Sequence, residues 1–378
     1  MPSVPFPSRS RPVRLLADVV LMGLALSAAA SAAPAPERYV VRGASVAIYD
    51  LVGELTAVAG TGADVVVEVT RGGADADKLR IEEGPVGEWQ TLRVVFPASR
   101  VIYGGFGSWE TNLHVGDDGR FSDGGLVGHD RGRHRVKVSG RGDGLKARAD
   151  VKVMVPKGKR VGLFLGVGSA SVTHVDGDLH LDLSGADATV RGTRGSLAID
   201  SGSGTIRVED ATGVISLDSG SGSTTLRTVR GERLSIDTGS GGLTVTDAAV
   251  DLLSADTGSG SVEIKDLIAQ EISLDSGSGS VRVSLLPGSP RSIVIDSGSG
   301  SVTLAVPDDL DASFDFETGS GGIDIDVPHH ITRSSSDHVS GRFGSGQGHI
   351  HIDSGSGGIH IIPSATSGSP KKSERGKT

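Results

Sequence analysis

The chain has 378 residues, a net charge of −9, 57 glycines, 3% aromatic residues and no cysteine. So few rings exclude a wide core filled with aromatics, and the acidic balance excludes a basic field for nucleic acid. The missing cysteine excludes a disulfide framework, a thiolate zinc site and a lipid-modified N-terminal cysteine.

Residues 1–33 read as an export signal. Arg9, Arg11 and Arg14 form a positive start, residues 19–30 are a short apolar run, and Ala30-Ser31-Ala32 or Ser31-Ala32-Ala33 supplies small residues for cleavage. An uncleaved N-terminal anchor is the alternative. No later segment approaches the ~18 apolar residues that a membrane span needs. The mature chain is therefore expected to have no transmembrane segment and to be exported: periplasmic, at the cell surface or extracellular.

Residues 38–158 read as irregular β coils. Runs such as Val46-Ala47-Ile48, Val65-Val66-Val67 and Leu92-Arg93-Val94-Val95-Phe96 are short, β-branched and parted by Gly or Asp. Residues 103–134 interrupt them as a long Gly-rich loop holding Phe106, Trp109, Phe121, His114 and His129. Such loops often carry function, so Phe106, Trp109 and Phe121 are the candidate binding residues. The loop is not needed for stacking, and its removal is expected to leave folding intact.

Residues 159–362 read as the regular part. Asp or Glu, then Ser or Thr, then Gly-Ser-Gly recurs at Asp200, Asp218, Asp237, Asp256, Asp275, Asp296, Glu317 and Asp353, at steps of 18, 19, 19, 19, 21, 21 and 36 residues. A period near 19 with turn residues in each copy predicts an all-β parallel solenoid, a β-helix. Alternation sends Leu197, Ile199, Ile206 and Val208 inward and Asp200 and Arg207 outward. Glycine is expected at the corner because it accepts positive φ, so Gly204→Val should strain it. Handedness is expected to be right, by the general preference of parallel crossovers. Residues 328–348 are expected to cap the open end, with His349-Ile350-His351-Ile352 and Ile359-His360-Ile361-Ile362 as the closing pair. Residues 363–378 read as a disordered polar tail.

These repeats resemble a family of exported bacterial β-strand-repeat proteins labelled "putative adhesins", a domain of unknown function. The resemblance rests on Val153-Met154-Val155-Pro156-Lys157-Gly158, on the Leu-x-Ile-Asp-Ser-Gly-Ser-Gly-x-Ile-x-Val copies from Leu197 to Val283, and on Gly341-Arg342-Phe343-Gly344-Ser345-Gly346. It covers roughly residues 39–362. It implies a β-helical fold and an envelope or surface location, and it supplies no catalytic residues.

Two side-chain sets invite chemistry. The repeat-turn acids should stack as a column, where carboxylates ~4.8 Å apart repel by about 1 kcal/mol per pair in water. Either an Asx-turn, each Asp accepting the backbone N–H of the Gly two residues on, or a row of calcium ions would offset this. The Asx-turn is favoured because Asp precedes the glycines, whereas the calcium-binding nonapeptide places it after them. Second, His349, His351, Asp353 and His360 could hold a transition metal, against the plainer reading of an exposed polar edge, with His329-His330 in the cap as a further candidate pair. Arg141-Gly142-Asp143 is a weak integrin-type signal in a chain rich in those residues. No Ser nucleophile has a partnered base, and repeated Asp is better explained by the fold than by glycosidase chemistry. The reading is a non-enzymatic, adhesin-like binding or structural protein with no cofactor, and its partner is an unknown protein or glycan at the envelope. A periplasmic scaffold or envelope-stress component and a polysaccharide-active β-helix enzyme are the alternatives.

Overall fold

The computed structural model describes residues 35–121, 133–288 and 290–364. The expected export signal and all but the first two residues of the expected disordered tail lie outside them. Those first two, Pro363 and Ser364, are fixed: Pro363 ends a strand, and Ser364 donates its N–H to Val306 O (2.8 Å) and its hydroxyl to Leu285 O (3.0 Å).

The described chain is nearly all strand, and the parallel β-solenoid is what it forms. Successive long strands Lys159–Thr173, Gly177–Arg191, Arg194–Ser203, Ile206–Ser221, Thr224–Thr238, Leu243–Thr257 and Val262–Ser276 each pair in parallel with the next. Equivalent residues stack: Leu181 on Ile199 on Leu217 on Ile236 on Ala255 on Leu274, all buried. One coil cannot cover its own apolar face, so each coil is stabilised by its neighbours. A buried aliphatic contributes ~1.5–3 kcal/mol to that column.

Residues 38–158 form the irregular N-terminal part, and a single rung of them joins the parallel stack. One rung, Ser45–Ala59, stacks directly on Lys159–Thr173, about a hundred residues later in sequence. Its free edge is shared by Trp89–Val95 and Arg148–Val155, both parallel to it. Antiparallel strands then close this end: Arg80–Val86 on Trp89–Val95, and Val65–Gly72 on Arg148–Val155, with Glu37–Val41 outermost. Antiparallel pairing ends the parallel ladder and protects its edge.

Within the expected loop 103–134, the described residues 103–121 and 133–134 are not a free loop; His129 lies outside the described residues. They hold Glu110–Gly116 and the start of Arg133–Ser139, which with Arg100–Ile102 form a separate three-stranded sheet. Leu113, Val115, Val136 and Val138 are buried. Phe121 is 2% exposed and meets Tyr49 edge-on at 6.0 Å, while Tyr49 stacks on Phe164 at 4.2 Å. The small sheet thus covers an aromatic patch on the outer face of the first rungs. Its removal would bare these rings, which argues against its being dispensable for folding.

At the C-terminal end the stacking order departs from sequence order. Gly348–Ser354 lies between Ser292–Ser297 and Ala312–Thr318, parallel to both, and Ile359–Pro363 lies between Val302–Val306 and Ile323–Ile325. The column therefore runs Asp296, Asp353, Glu317. The outer edge of Ala312–Thr318 is capped by antiparallel His338–Phe343, itself paired with His330–Ser334. So 328–348 does supply the cap, but the last coil is internal and not the closing one. Phe314, Phe316 and Phe343 plug the column's end with centroids 4.7 Å apart in each adjacent pair.

Candidate functional site

From Thr238 onward the corner after the acid is held by the next residue, whereas the hydroxyls of Ser201 and Ser219 have no hydrogen-bond partner among the described residues. Ser201, Ser219, Thr238, Thr257, Ser276, Ser297, Ser354 and Thr318 are all buried. Thr238 Oγ1 donates to Thr257 Oγ1 (2.9 Å), Ser276 Oγ to Gly279 O (2.9 Å) and Ser297 Oγ to Gly300 O (2.8 Å). The expected Asx-turn is not found at Asp218, Asp237, Asp256, Asp275 or Asp296, which point outward and accept no hydrogen bond from the described residues. Burial pushes the carboxyls of Asp237 and Asp275 up, and their neighbours in the column push them further: Asp218 and Asp256 on the first, Asp256 and Asp296 on the second. The hydroxyl does the work assigned to the carboxylate because its side of the strand faces inward.

The glycine expectation holds at Gly204 (φ +140°) and Gly222 (φ +120°). Later corners need glycine for a different reason: a Cβ at Gly241 would collide with Gly222 O one rung below, and one at Gly260 with Gly241 O.

The candidate site is a groove of about 780 Å³ between the small sheet and these corners. Tyr103, Phe106 and Trp109 form one wall. The backbone sets them there. Tyr103 N–H bonds Ser139 O (2.9 Å), Trp109 N–H bonds Phe106 O (3.2 Å), and Trp109 O accepts from Gly140 N–H (3.3 Å). Gly105 must lack a side chain because Tyr103's ring occupies that space, and Gly140 because Gly107 O does. Trp109 is left 75% exposed. The opposite wall is the corners of four successive rungs, with Gly185, Ser203 and Ser221 in register and Gly168 set one residue along. Four rungs at the β spacing span ~14 Å.

Two carboxylates border the groove, and both are engaged. Glu110 Oε2 pairs with Lys137 Nζ at 2.6 Å, and that hydrogen bond holds its carboxyl below the usual range. Asp187 Oδ1 accepts Thr205 N–H at 2.7 Å.

Of the sequence candidates, Phe106 and Trp109 line the groove, whereas Phe121 is core. The proposed metal set does not converge. His349 Nδ1 lies 3.3 Å from Ser313 Oγ, and His360, beyond the next corner, lies 3.3 Å from Asp324 Oδ2. His351 and Asp353 share His349's strand and outward face. His329 Nδ1 bonds Val327 O (2.7 Å) and His330 is exposed on the cap hairpin. Arg141-Gly142-Asp143 is an exposed turn, with Gly142 at φ +108°. Sequence reasoning missed Tyr103 and the serine wall of the groove. It also missed a group formed by Asp315, Glu317 and His338, whose ligand atoms lie within 4.8 Å of one another. Their separation of more than twenty residues hides them, since only the antiparallel cap register brings His338 opposite Glu317.

Among the described residues no helix is long and apolar enough to cross a membrane. No curated protein matches the chain. A solved structure of a "putative cell adhesion protein" from Clostridium sporogenes ATCC 15579 matches with 10% identity over 87% of this chain and 99% of that one, but its TM-score of 0.17 is too low to bear on fold or function. The family model described as Toastrack DUF4097 matches residues 145–362, more than half of the chain, and the chain belongs to that family.

Proposed function

We propose that this chain is an exported, non-enzymatic binding protein that takes an extended glycan in the groove between Trp109 and the serine-glycine corners. The carrying observation is the exposed Trp109 facing that ladder across an open groove. An exposed indole presents a flat apolar face with a polar N–H at its edge, which suits a sugar ring. Serine hydroxyls opposite both donate and accept. The rungs repeat, so the groove offers similar contacts at each step of a linear chain. Export is supported by the leader-like pattern of residues 1–33.

The binding reading is preferred to hydrolysis on the state of the groove's acids. A glycosidase needs one carboxyl with a raised pKa to protonate the leaving group. Glu110 is shifted the other way by Lys137.

The test uses the protein's two tryptophans, Trp89 and Trp109. Trp89 lies under the Arg160 guanidinium at 4.6 Å. In a Trp89→Phe background the remaining emission reports Trp109 alone. A panel of linear oligosaccharides should quench or shift it saturably, with no reducing ends released. Trp109→Ala should abolish binding measured by calorimetry. Glycan binding that survives Trp109→Ala, or a panel that never perturbs the emission, sinks the reading.

A further inference from the structure

We propose that Asp315, Glu317 and His338 form a binding site for a first-row divalent cation of the zinc class at the C-terminal cap. Two oxygen donors and one imidazole lie with their ligand atoms within 4.8 Å of one another. His338 Nε2 and Asp315 Oδ1 are 2.8 Å apart. Donors at the ~2.0–2.2 Å zinc distance stand ~3.3 Å apart on a tetrahedral ion. That pair, now in direct contact as an ion pair, would open by about half an ångström to admit the ion. The third donor comes from the exposed Glu317, whose carboxylate lies within 4.8 Å of both.

This group differs from the acidic column it adjoins. Within the column Asp237 and Asp275 are each flanked by two further carboxylates. At the cap the row passes from Asp353 to Glu317 and then to His338. A nitrogen donor thus enters at the rung where the antiparallel cap strand replaces a parallel one at the C-terminal end. An all-oxygen set suits calcium or magnesium, and imidazole turns the preference toward zinc and its neighbours.

The backbone holds the donors on both sides. Ala312–Thr318 is paired with Gly348–Ser354 on one edge and His338–Phe343 on the other. Thr318 N–H bonds Asp337 O at 2.9 Å, beside His338. Sites on paired strands keep their geometry better than sites on loops. Asp353, in register with Glu317, and His351, in register with Asp315, stand on the same outward face to supply or orient a further ligand. Two residues of the sequence-derived metal set thus adjoin the site without being its centre.

The experiment is zinc titration of the untagged chain, read by calorimetry and by the melting temperature. One zinc per chain should bind, with a higher melting temperature. His338→Ala and Asp315→Asn should each weaken binding by tenfold or more, and Asp218→Asn should leave it unchanged. If His338→Ala loosens the cap, Asp315→Asn, which preserves shape, decides the matter. Zinc binding unaffected by Asp315→Asn, no saturable zinc binding, or an equal response to calcium would each overturn the assignment.

Discussion

Thr228 sits in a conformation that its side chain resists. Its φ is +55°, and so are those of Asp210 and Asp266, with Asp247 at +58°. These residues stack on one another and form a second corner in each coil. Asp tolerates the left-handed region, whereas a β-branched residue is a true outlier there. Thr228→Gly should therefore stabilise by about 1 kcal/mol, after the entropy cost of glycine is set against the ~1–2 kcal/mol of strain. Urea melts would read this, and a destabilised variant would refute it. This corner was illegible in the sequence because glycine marks it only at Gly192 (φ +65°) while Asp210, Thr228, Asp247 and Asp266 fill the rungs that follow, whereas the Ser-Gly-Ser-Gly corner was plain. The same scale explains the Asx error: at Asp-Ser, composition cannot say which of two oxygens turns inward, and the inward one makes the bond.

Asp50 is the other residue out of place. It is fully buried, Oδ1 accepts Val52 N–H at 3.3 Å, and Oδ2 has no partner. Burial pushes its carboxyl well above the usual range. The folded state then holds a proton that the unfolded state releases above about pH 4. Stability conferred by that proton is present below the unfolded pKa and declines as pH rises toward the folded one. The upward shifts of Asp237 and Asp275 act with the same sign. Asp50→Asn keeps the shape and cannot ionise. Its melting temperature should exceed that of the parent at pH 8 and approach it near pH 4. Parallel profiles would show that Asp50 binds its proton equally in the folded and unfolded states, so that its pKa is not raised.

At the scale of elements, the three-stranded sheet over the first rungs divides packing from binding. Phe121 and Trp109 both fall in the one stretch rich in rings, and the sequence gives no ground for treating them differently. Their burial separates them: 2% exposure against 75%. Phe121→Ala should cost about 3–5 kcal/mol by opening a cavity against Tyr49. Trp109→Ala should change stability by no more than about 0.5 kcal/mol while removing the groove's exposed wall. Equal losses of stability in the two variants would mean that the sheet folds as a loose lobe and that the groove has no fixed wall. Alternation and the short β-branched runs made the strands of this region legible. What they could not show was pairing partners, because Ser45–Ala59 meets Lys159–Thr173 across a hundred residues with no repeat between them.

For the whole molecule, a repeat array predicts neighbours from sequence order, and that rule fails once. Each coil from Lys159–Thr173 to Val262–Ser276 stacks on its predecessor, yet Gly348–Ser354 is inserted between two earlier strands. The cause is the cap. His338–Phe343 already occupies the outer edge of Ala312–Thr318, so the returning chain has only the inner edge to pair with. The coil at 312–325 therefore reaches the body of the solenoid through the last coil and not through its own predecessor. A chain ending at Gln347 should lose more than its final rung. Nearest-neighbour stability has no term left to hold the cap, and Phe314 and Phe316 would face a gap where Ile350 and Ile352 had been. Hydrogen exchange should then show the amides of 312–343 near loop rates while those of 197–276 keep their protection. Retained protection of 312–343 would mean that the cap can dock directly on the 292–306 coil. The insertion of the last coil would then be a choice between two stable stackings rather than the one arrangement the cap permits.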